Sequence, residues 1–366
     1  MPTRITNIPE LEAYLTAKSI PYTSATLLTG GTANFVFRLT LPPTTPNGSS
    51  PSKPQTLIIK HSEPFIASNP SIPFPTARMD FEAHALQKID AIMAAASTLP
   101  TTPPTVQPVE LLAYDEENKT MQIADGGHRN LKDAYTDPDL DIVACGRHIG
   151  AWLAALHAST RGTDIGDNKV AKHIYRTSYR GLGGALSKLG NDGTAELGEA
   201  VDGEFGALLN TDDEVVCHGD FWPGNVLVGD AVHKAGVDLQ LTIVDWEMVR
   251  RGTGATDVGQ FAAEAFLLDR FRGNRGLRIT FLTTYAEAAK EGLGEWKGKG
   301  KEFVTRTAVH WGTHVAFWPT RVAWGTEEET KELVRIGLGV IVAAKEGRWE
   351  GLGGSELFGG VEEALG

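Results

Sequence analysis

The pattern of hydrophobic and polar positions divides the chain into an early strand-rich part and a later helix-rich part. Residues 22–60 contain three runs, TLLTGG, NFVFRLTL and TLIIK, which are rich in β-branched and aromatic residues and include a Gly-Gly turn signal. Such runs predict an antiparallel meander. In the next segment, RMDFEAHALQKIDAIMAAA, the residues Phe81, Leu86, Ile89 and Met93 recur at roughly helical spacing. This spacing predicts one helix after the strands.

Pro-rich stretches separate these elements. PPTTPNGSSPSKPQ lies between the second and third runs, and PFIASNPSIPFPTA precedes the helix. Their composition cannot build a core, so we expect a mobile surface loop in the first and a connecting loop in the second. Farther along, VELLAY and TMQIA predict two more short strands, and the turn DGGH that follows them predicts a boundary between two lobes.

In the second part of the chain the apolar residues recur mostly at helical spacing. DIVACGRHIGAWLAALHAST predicts a helix whose apolar residues share one face: Ile142, Ile149, Trp152, Leu153 and Leu156. Three short strand patterns follow, VCHGDF, NVLV and LQLTIVDWE. From residue 257 onward the long segments all have helical periodicity, and we expect the Gly-rich C-terminal end to fray.

Length, charge and cysteine usage limit the class of protein. A chain of 366 residues allows two domains or two lobes with a sizeable core. Neither Cys145 nor Cys217 has the spacing of a zinc site or a disulfide framework, which favours a reducing compartment. The sequence shows neither a signal peptide nor a membrane-spanning run, so we expect a cytoplasmic protein that does not bind membranes. The net charge of −12 argues against binding to nucleic acid.

One polar loop carries candidate chemistry. In HGDFWPGN, Asp220 follows His218 by two positions and Asn225 follows Asp220 by five, which is the spacing of a phosphotransfer catalytic loop. The carboxylate of Asp220 would accept a hydroxyl proton, and the amide oxygen of Asn225 would bind Mg²⁺. A hard cation requires further oxygen ligands. Asp245 ends the buried strand pattern LTIV and can supply one, and Glu247 could reach the same region.

The early part of the chain contains residues suited to binding phosphate. Lys60 ends the strand pattern LIIK, and Glu82 lies on the helix that follows. A strand lysine paired with a helix carboxylate positions the α- and β-phosphates of a nucleotide in kinase-like enzymes. A turn between the first two strands could bring backbone N–H groups to the phosphates as well. Its residues are Gly30, Gly31, Thr32 and Asn34.

These motifs resemble the aminoglycoside phosphotransferase and choline kinase superfamily, which contains protein-kinase-like enzymes that act on small molecules. HGDFWPGNVLV resembles the HGDxxxxN loop of that family, VDWE its metal-binding D-x-E segment, AWLAALHA a preceding helix, and Asp257 the aspartate that opens the next helix. The resemblance covers residues 22 to about 270. GGTANFVFRL, LIIKHSEPF and RMDFEAHAL are most similar to methylthioribose kinases, whereas Pro-Gly-Asn and Asp-Trp-Glu match the general pattern of the superfamily.

The resemblance implies an α+β, bilobal protein-kinase-like fold. Residues 1–125 would form an N-terminal nucleotide-binding lobe of antiparallel sheet plus one helix, and residues 126–366 a mainly helical catalytic and substrate-binding lobe. ATP would bind between the lobes, with Mg²⁺ on Asn225 and Asp245. The adenine would contact the backbone of three linker residues, Gln122, Ala124 and Asp125. Asp220 would orient a hydroxyl of a methylthioribose-, aminoglycoside- or choline-like acceptor and take its proton.

Two polar residues have expected supporting roles. We predict that His218 props the catalytic loop by hydrogen bonding and does not take part in the chemistry. Asp257 and Gln260 have the spacing of a capping box, which would let Asp257 brace the loop while capping its own helix.

The segment HWGTHVAFWPTRVAW permits several interpretations. His310 and His314 are four residues apart on a predicted helix and could share a metal, but the Trp, Val and Phe residues around them favour a packed pair. Trp311 or Trp318 facing the substrate is a further hypothesis, motivated by the use of C-terminal helices for substrate recognition in the superfamily.

Two other functions remain open at this point. A catalytically silent nucleotide-binding regulator would share the fold and the nucleotide site. A metallophosphoesterase would need an upstream D-x-H motif and downstream His ligands, and the sequence shows neither. DFG, APE and G-x-G-x-x-G are also absent from the sequence, which disfavours a protein substrate. The sequence does not identify the acceptor, the preference for ATP over GTP, or the oligomeric state.

Overall fold

The computed structural model describes residues 3–43, 55–96, 105–189, 194–229, 239–292 and 296–361. Most of the predicted loop PPTTPNGSSPSKPQ lies outside the described residues. The chain divides into two compact units. The first unit comprises Met1–Lys88 and Pro108–Gly126, and the second comprises Ile89–Gln107 and Gly127–Gly366.

The described strands and helices follow one another in both units. The strands are β1 (Ser24–Leu28), β2 (Phe35–Thr40), β3 (Thr56–His61), β4 (Phe65–Ile66), β5 (Asn69–Pro73), β6 (Val106–Pro108), β7 (Leu111–Asp115), β8 (Thr120–Ala124), β9 (Arg129–Asn130), β10 (Val215–Cys217), β11 (Val226–Val228), β12 (Leu241–Ile243) and β13 (Arg250–Gly252). The α-helices are α1 (Ile8–Ala17), α2 (Arg78–Ala96), α3 (Leu131–Ala134), α4 (Ile142–Ser159), α5 (Lys169–Tyr175), α6 (Thr177–Leu186), α7 (Thr194–Val201), α8 (Ala255–Arg272), α9 (Leu277–Gly292), α10 (Trp296–Phe317), α11 (Glu327–Lys345) and α12 (Trp349–Gly353).

The first unit is built on an antiparallel sheet in the order β1-β2-β3-β8-β7. Phe37 and Leu39 alternate along β2 and lie opposite Ile59 and Leu57 of β3. Because alternate residues of a strand face the same side, these four apolar side chains form one buried face. The predicted meander is therefore confirmed.

Helix α1, which the pattern of apolar positions did not predict, covers this face. Leu11, Tyr14 and Leu15 of α1 belong to the same buried cluster as the sheet residues. The helix starts at a recognisable cap, because the side chain of Asn7 accepts a hydrogen bond from the backbone N–H of Glu10. The expectation of one helix in this part of the chain was incomplete, because only three buried positions mark a helix this short.

The Pro-rich segment before α2 is not a plain loop. It forms the short hairpin of β4 and β5, whose turn residues Ala67 and Ser68 donate backbone hydrogen bonds to the carbonyls of Ala33 and Thr32. Backbone pairing of this kind needs no alternating apolar pattern, so no periodic signal in this segment predicts the hairpin. Helix α2, which begins in the first unit, has the predicted bounds.

The second unit is mainly helical. Helix α4 packs against α9, and α10 packs against both α8 and α11. The predicted apolar face of α4 is buried, including Ile149, Trp152 and Leu156. The C-terminal end does not fray over its described part, because Leu357 and Phe358 are buried there. The mainly helical second unit and the antiparallel sheet of the first confirm the predicted α+β, bilobal protein-kinase-like fold.

Two small sheets in the second unit support the polar loop that follows β10. Strands β10 and β13 form an antiparallel ribbon in which Cys217 lies opposite Arg250. A second sheet has the order β6-β12-β11-β9, with Val226 of β11 opposite Ile243 of β12. Among the described helices, none is long and apolar enough to cross a membrane.

Candidate active site

The loop between β10 and β11 brings Asp220 and Asn225 together. The side-chain amide nitrogen of Asn225 donates to the Asp220 carbonyl at 2.9 Å and to Asp220 Oδ2 at 3.1 Å. Because the nitrogen of this amide faces Asp220, its Oδ1 atom is the one that can bind a cation. The loop ends in a 3-10 turn at Pro223–Asn225, and the Asn225 carbonyl accepts from Val244 N–H at 3.0 Å.

The carboxylate of Asp220 has a second amide partner. Gln260 Nε2 donates to Asp220 Oδ1 at 2.7 Å. Burial and, next in size, the negative charge of Asp245 raise the pKa of Asp220 to about 6. Two carboxylates that interact in this way create a region of negative potential, which a divalent cation would relieve. The donor set of this loop therefore fits a hard metal ion.

Asp245 lies directly after β12 in an unusual backbone conformation. Its φ of 66° and ψ of 61° are in the left-handed region, which Asp adopts more readily than most residues with a Cβ atom. The following 3-10 turn, Trp246–Met248, contains a fully buried Trp246 and a Glu247 that is 6% exposed. The structure thus places the predicted metal ligands Asp245 and Glu247 on one turn, with Asp245 close enough to perturb Asp220.

His218 contacts the backbone on both sides of its ring. Its Nδ1 accepts from the Asp220 N–H at 3.2 Å, and its Nε2 lies 3.0 Å from the Val244 carbonyl. A carbonyl only accepts, so Nε2 carries the proton. The ring also packs against Trp246, with 4.5 Å between ring centroids. These contacts are those of a residue that holds the loop in place.

Asp257 holds the same loop from helix α8. Its Oδ2 accepts from the His218 N–H at 2.7 Å, and its Oδ1 accepts from the Gly219 N–H at 3.1 Å. Burial tends to raise the pKa of Asp257, but the hydrogen bond and charge of His157 outweigh it and hold the pKa below its usual range. The carboxylate is therefore a stable anion beneath the loop between β10 and β11.

The predicted capping box at the start of α8 is wrong. The cap residue is Gly254, and no side chain caps this end of the helix. Asp257 lies inside the first turn, where its carboxylate binds the N–H groups of the loop instead of those of its own helix. The spacing of a capping box is a local signal, and here both residues of the pair form hydrogen bonds with a loop that is distant in sequence.

Gly219 is required by the shape of the loop. Its φ is +87°, a value that residues with a Cβ atom rarely adopt. A Cβ atom at this position would lie 2.0 Å from the carbonyl oxygen of Met248. The loop therefore passes so close to the Trp246–Met248 turn that only glycine fits.

Three site residues were missed by sequence reasoning. Gln260 contacts Asp220, Tyr175 contacts Gln260, and His310 contacts Tyr175. Gln260 lies three residues after Asp257, so both face the catalytic loop from one side of α8. That spacing is the available signal in the sequence, and it is the same as the spacing of a capping box.

In the first unit, Lys60 and Glu82 form a buried ion pair. Lys60 Nζ lies 2.6 Å from Glu82 Oε2, and the two residues are 5% and 0% exposed. Buried charges need partners, and β3 and α2 supply one each. The structure thus joins the predicted strand lysine and helix carboxylate.

The predicted phosphate-binding turn lies between β1 and β2. Gly30 has a φ of +113°, and Gly31 and Thr32 are exposed. Asn34 is buried instead, and its Oδ1 accepts from Arg78 Nε at 3.1 Å. The side chain of Asn34 therefore helps to shape the turn.

The predicted adenine-binding segment lies at the end of β8. Gln122 lies opposite Ile59 in the sheet, and the Ala124 N–H donates to the Glu110 carbonyl at 2.9 Å. The carboxylate of Asp125 forms a two-pronged ion pair with Arg38, at 2.6 Å and 3.0 Å. The N–H of Ala124 and the side chain of Asp125 thus already have partners within the first unit.

Both histidines of α10, and Trp311 between them, pack in the interior. His310 and His314 are 2% and 5% exposed, and His314 Nε2 lies 2.8 Å from Glu264 Oε1. The interpretation as a packed pair is confirmed. Trp311 is fully buried, so the hypothesis that it faces the substrate is wrong, whereas Trp318 is 38% exposed.

A catalytic-loop carboxylate held by two amides, a second carboxylate on the next turn, and a buried lysine–glutamate pair are features of a phosphotransferase. Residues 30–298 match the family described as the phosphotransferase enzyme family (APH), and the chain belongs to that family. This membership confirms the predicted resemblance and the predicted enzyme class, a small-molecule kinase that acts on a hydroxyl group.

Several proteins to which the chain is similar are named as kinases. The chain is 25% identical over 335 residues to 4-hydroxytryptamine kinase of Psilocybe cyanescens, with 87% of each chain covered. It is 25% identical over 327 residues to 4-hydroxytryptamine kinase of Psilocybe cubensis, covering 85% of this chain and 84% of that one. Among solved structures, choline kinase LicA from Streptococcus pneumoniae is similar with a TM-score of 0.46 and 11% identity, covering 92% of this chain and 99% of that chain.

Proposed function

We propose that this kinase transfers the γ-phosphoryl group of Mg-ATP to a hydroxyl group of a small molecule, with Asp220 as the catalytic base. The proposal rests on the hydrogen bonds and the raised pKa of Asp220. Amide groups hold both of its oxygens, and its pKa is raised to about 6. A base of this kind is ionised at neutral pH, yet binds a proton more readily than an ordinary aspartate.

In the proposed reaction, the carboxylate of Asp220 accepts a hydrogen bond from the acceptor hydroxyl and orients its oxygen for in-line attack. As the bond from this oxygen to the γ-phosphorus forms and the bond to the leaving ADP oxygen breaks, the hydroxyl proton passes to Asp220. Asn225 and Gln260 keep the carboxylate in one orientation throughout. Positioning of this kind accounts for much of the rate enhancement in phosphoryl transfer.

We assign the metal and the nucleotide to the remaining predicted residues. Asn225 Oδ1, Asp245 and Glu247 would hold Mg²⁺, which would neutralise charge on the phosphates. Residues 1–125 would act as the nucleotide-binding lobe, with Lys60, oriented by Glu82, near the α- and β-phosphates. The Gly30–Gly31 turn would add backbone donors. Residues 126–366 would carry out catalysis and bind the acceptor.

The first acceptor to test is 4-hydroxytryptamine. The two related kinases named for this acceptor align with 87% and 85% of this chain. Methylthioribose, aminoglycosides and choline are the other acceptors to compare, because the sequence motifs resemble those of kinases acting on such molecules.

The test is mass-spectrometric detection of phosphorylated product from Mg-ATP and each acceptor. We expect one acceptor to be phosphorylated by the native protein and by Asp139→Asn, a control at an exposed aspartate, but not by Asp220→Asn. Product formation that survives Asp220→Asn would contradict the assignment of the base. Binding of Mg-ATP without turnover of any acceptor would favour a silent nucleotide-binding regulator instead.

A further inference from the structure

A row of hydrogen bonds runs from Asp220 into the interior of the second unit. Gln260 Nε2 donates to Asp220 Oδ1 at 2.7 Å, and Gln260 Oε1 lies 3.0 Å from the hydroxyl of Tyr175. The same hydroxyl lies 2.9 Å from His310 Nε2. The hydroxyl of Tyr179 lies 3.0 Å from His310 Nδ1. We call Gln260, Tyr175, His310 and Tyr179 the Gln260 chain.

The direction of each hydrogen bond follows from the carboxylate. An ionised carboxylate only accepts, so the amide nitrogen of Gln260 faces Asp220 and the amide oxygen faces Tyr175. Tyr175 has one hydroxyl proton, which it donates to Gln260, and its oxygen accepts from His310 Nε2. His310 is then neutral with its proton on Nε2, and its Nδ1 accepts from Tyr179.

The other neutral form of His310 would reverse this order. With the proton on Nδ1, the unprotonated Nε2 could only accept, and Tyr175 would donate to it. The amide oxygen of Gln260 would then face a lone pair of the Tyr175 oxygen. The Thr256 carbonyl, 3.2 Å from the Tyr175 hydroxyl, is a second acceptor and cannot replace the missing donor. Only the form of His310 that is protonated on Nε2 provides a hydrogen-bond partner for every polar group of the Gln260 chain.

The surroundings keep His310 neutral and close to Tyr175. Burial is the main cause that lowers the pKa of His310 well below its usual value, and the charges of His314 and Arg250 act in the same direction. The rings of Tyr175 and His310 stack with 5.1 Å between centroids, and the guanidinium of Arg250 lies 3.7 Å above the Tyr175 ring. Both neighbours fix the position of Tyr175.

A glycine allows the two helices to approach at this point. A Cβ atom at Gly259 of α8 would lie 3.1 Å from His310 Cδ2 and 3.0 Å from the Thr307 carbonyl oxygen of α10. Both distances are tighter than ordinary contacts. Gly259 therefore lets α10 approach α8 closely enough for His310 to contact Tyr175.

We propose that Gln260 is a positioning residue for Asp220, and that the Nε2 proton of His310, acting through Tyr175, selects the amide orientation of Gln260 that holds the carboxylate for proton transfer. This inference rests on the proposed catalytic role of Asp220. It assigns a role in the reaction to a histidine that does not contact the reacting groups.

A pair of substitutions at His310 separates this role from simple packing. The side-chain amide of Gln reaches about as far as Nε2, so His310→Gln keeps a donor for Tyr175. The shorter amide of Asn reaches only about as far as Nδ1, so His310→Asn removes that donor. Tyr175→Phe and Gln260→Met break the chain nearer to Asp220. His173→Asn, at an exposed histidine of α5, is the matched control.

The first readout is steady-state kinetics with Mg-ATP and the acceptor that the panel identifies. We expect His310→Asn, Tyr175→Phe and Gln260→Met each to lower kcat about 10- to 100-fold, because a misplaced catalytic group loses rate on that scale. The KM for ATP should change by less than about twofold, since the residues of the Gln260 chain do not bind substrate. We expect His310→Gln to restore kcat to within about threefold of the native value.

A double-substitution cycle tests the coupling. Tyr175→Phe should have no further effect on kcat when Gln260 is already Met, because the two residues act through one contact. Independent, multiplicative losses would overturn the proposal. Equal losses in His310→Asn and His310→Gln would overturn it as well, because packing alone would then explain them.

The second readout does not require an acceptor. Long-range ¹H–¹⁵N NMR of the histidine-labelled protein at pH 7.5 identifies which ring nitrogen of His310 carries the proton. We expect a neutral ring protonated on Nε2, and a proton on Nδ1 or on both nitrogens would overturn the proposal. If the native protein phosphorylates no acceptor, the proposed function fails, and the NMR measurement still decides the direction of the Gln260 chain.

Discussion

The raised pKa of Asp220 predicts that this carboxylate destabilises the folded protein at neutral pH. Its pKa rises from 3.8 in an unperturbed chain to about 6 in the folded protein. A group with a raised folded-state pKa contributes its full stability below the unfolded value and loses that contribution as the pH rises through the folded value. At 1.36 kcal/mol per pKa unit, ionisation of Asp220 costs about 3 kcal/mol at pH 8.

Asp220→Asn removes this cost. The new amide has only one oxygen, so the substitution also removes one of the two hydrogen bonds that Asp220 accepts from Asn225 and Gln260. A hydrogen bond of this kind is worth about 1 kcal/mol. We therefore expect Asp220→Asn to increase the free energy of unfolding by about 2 kcal/mol at pH 8, while it abolishes phosphoryl transfer.

The assay is urea unfolding at pH 8 and at pH 5, with EDTA present to exclude divalent cations. At pH 5 the native Asp220 is mostly protonated in the folded state, so the advantage of the variant should shrink by about 1.4 kcal/mol. Asp139→Asn, at an exposed position, is the control. A stability difference that is the same at both pH values, or a variant less stable than the native protein at pH 8, would contradict a raised pKa of Asp220.

Three further predictions concern single residues of the two units. Lys60→Met removes one member of the buried ion pair with Glu82 and should lower the free energy of unfolding by about 3 kcal/mol, measured by urea unfolding; Lys60→Met combined with Glu82→Leu should recover part of the loss. Gly219→Ala should eliminate activity and lower the melting temperature, because its Cβ atom would lie 2.0 Å from the Met248 carbonyl, whereas Gly203→Ala, where nothing lies within 4 Å, should do neither. Asp245→Asn should weaken Mg²⁺-dependent ATP binding at least about tenfold by calorimetry, and binding at the native strength would contradict the metal assignment.

Much of the molecule follows from local patterns. The alternation of apolar residues in β2 and β3 determines which face of the first sheet is buried, and the spacing in α2 and α4 determines their bounds and buried faces. The contact between the candidate residues Asp220 and Asn225 is local as well, because they are five residues apart and one turn brings them together. Signals of this kind are complete within a few residues of the chain.

The rest was decided by contacts between distant residues. Asp257 and Gln260 have the spacing of a capping box, but both side chains form hydrogen bonds with the loop that follows β10. Gln260 is 40 residues away from Asp220, so local spacing does not predict their contact. Tyr175 and His310 are 135 residues apart, so no spacing in the sequence could pair them. The raised pKa of Asp220 has the same origin, because burial and the neighbouring charge of Asp245 exist only in the folded chain. Spacing in the sequence identified Asp220 and Asn225 as candidate site residues. Folding added Gln260 and set the protonation and orientation of Asp220, since both depend on distance and burial.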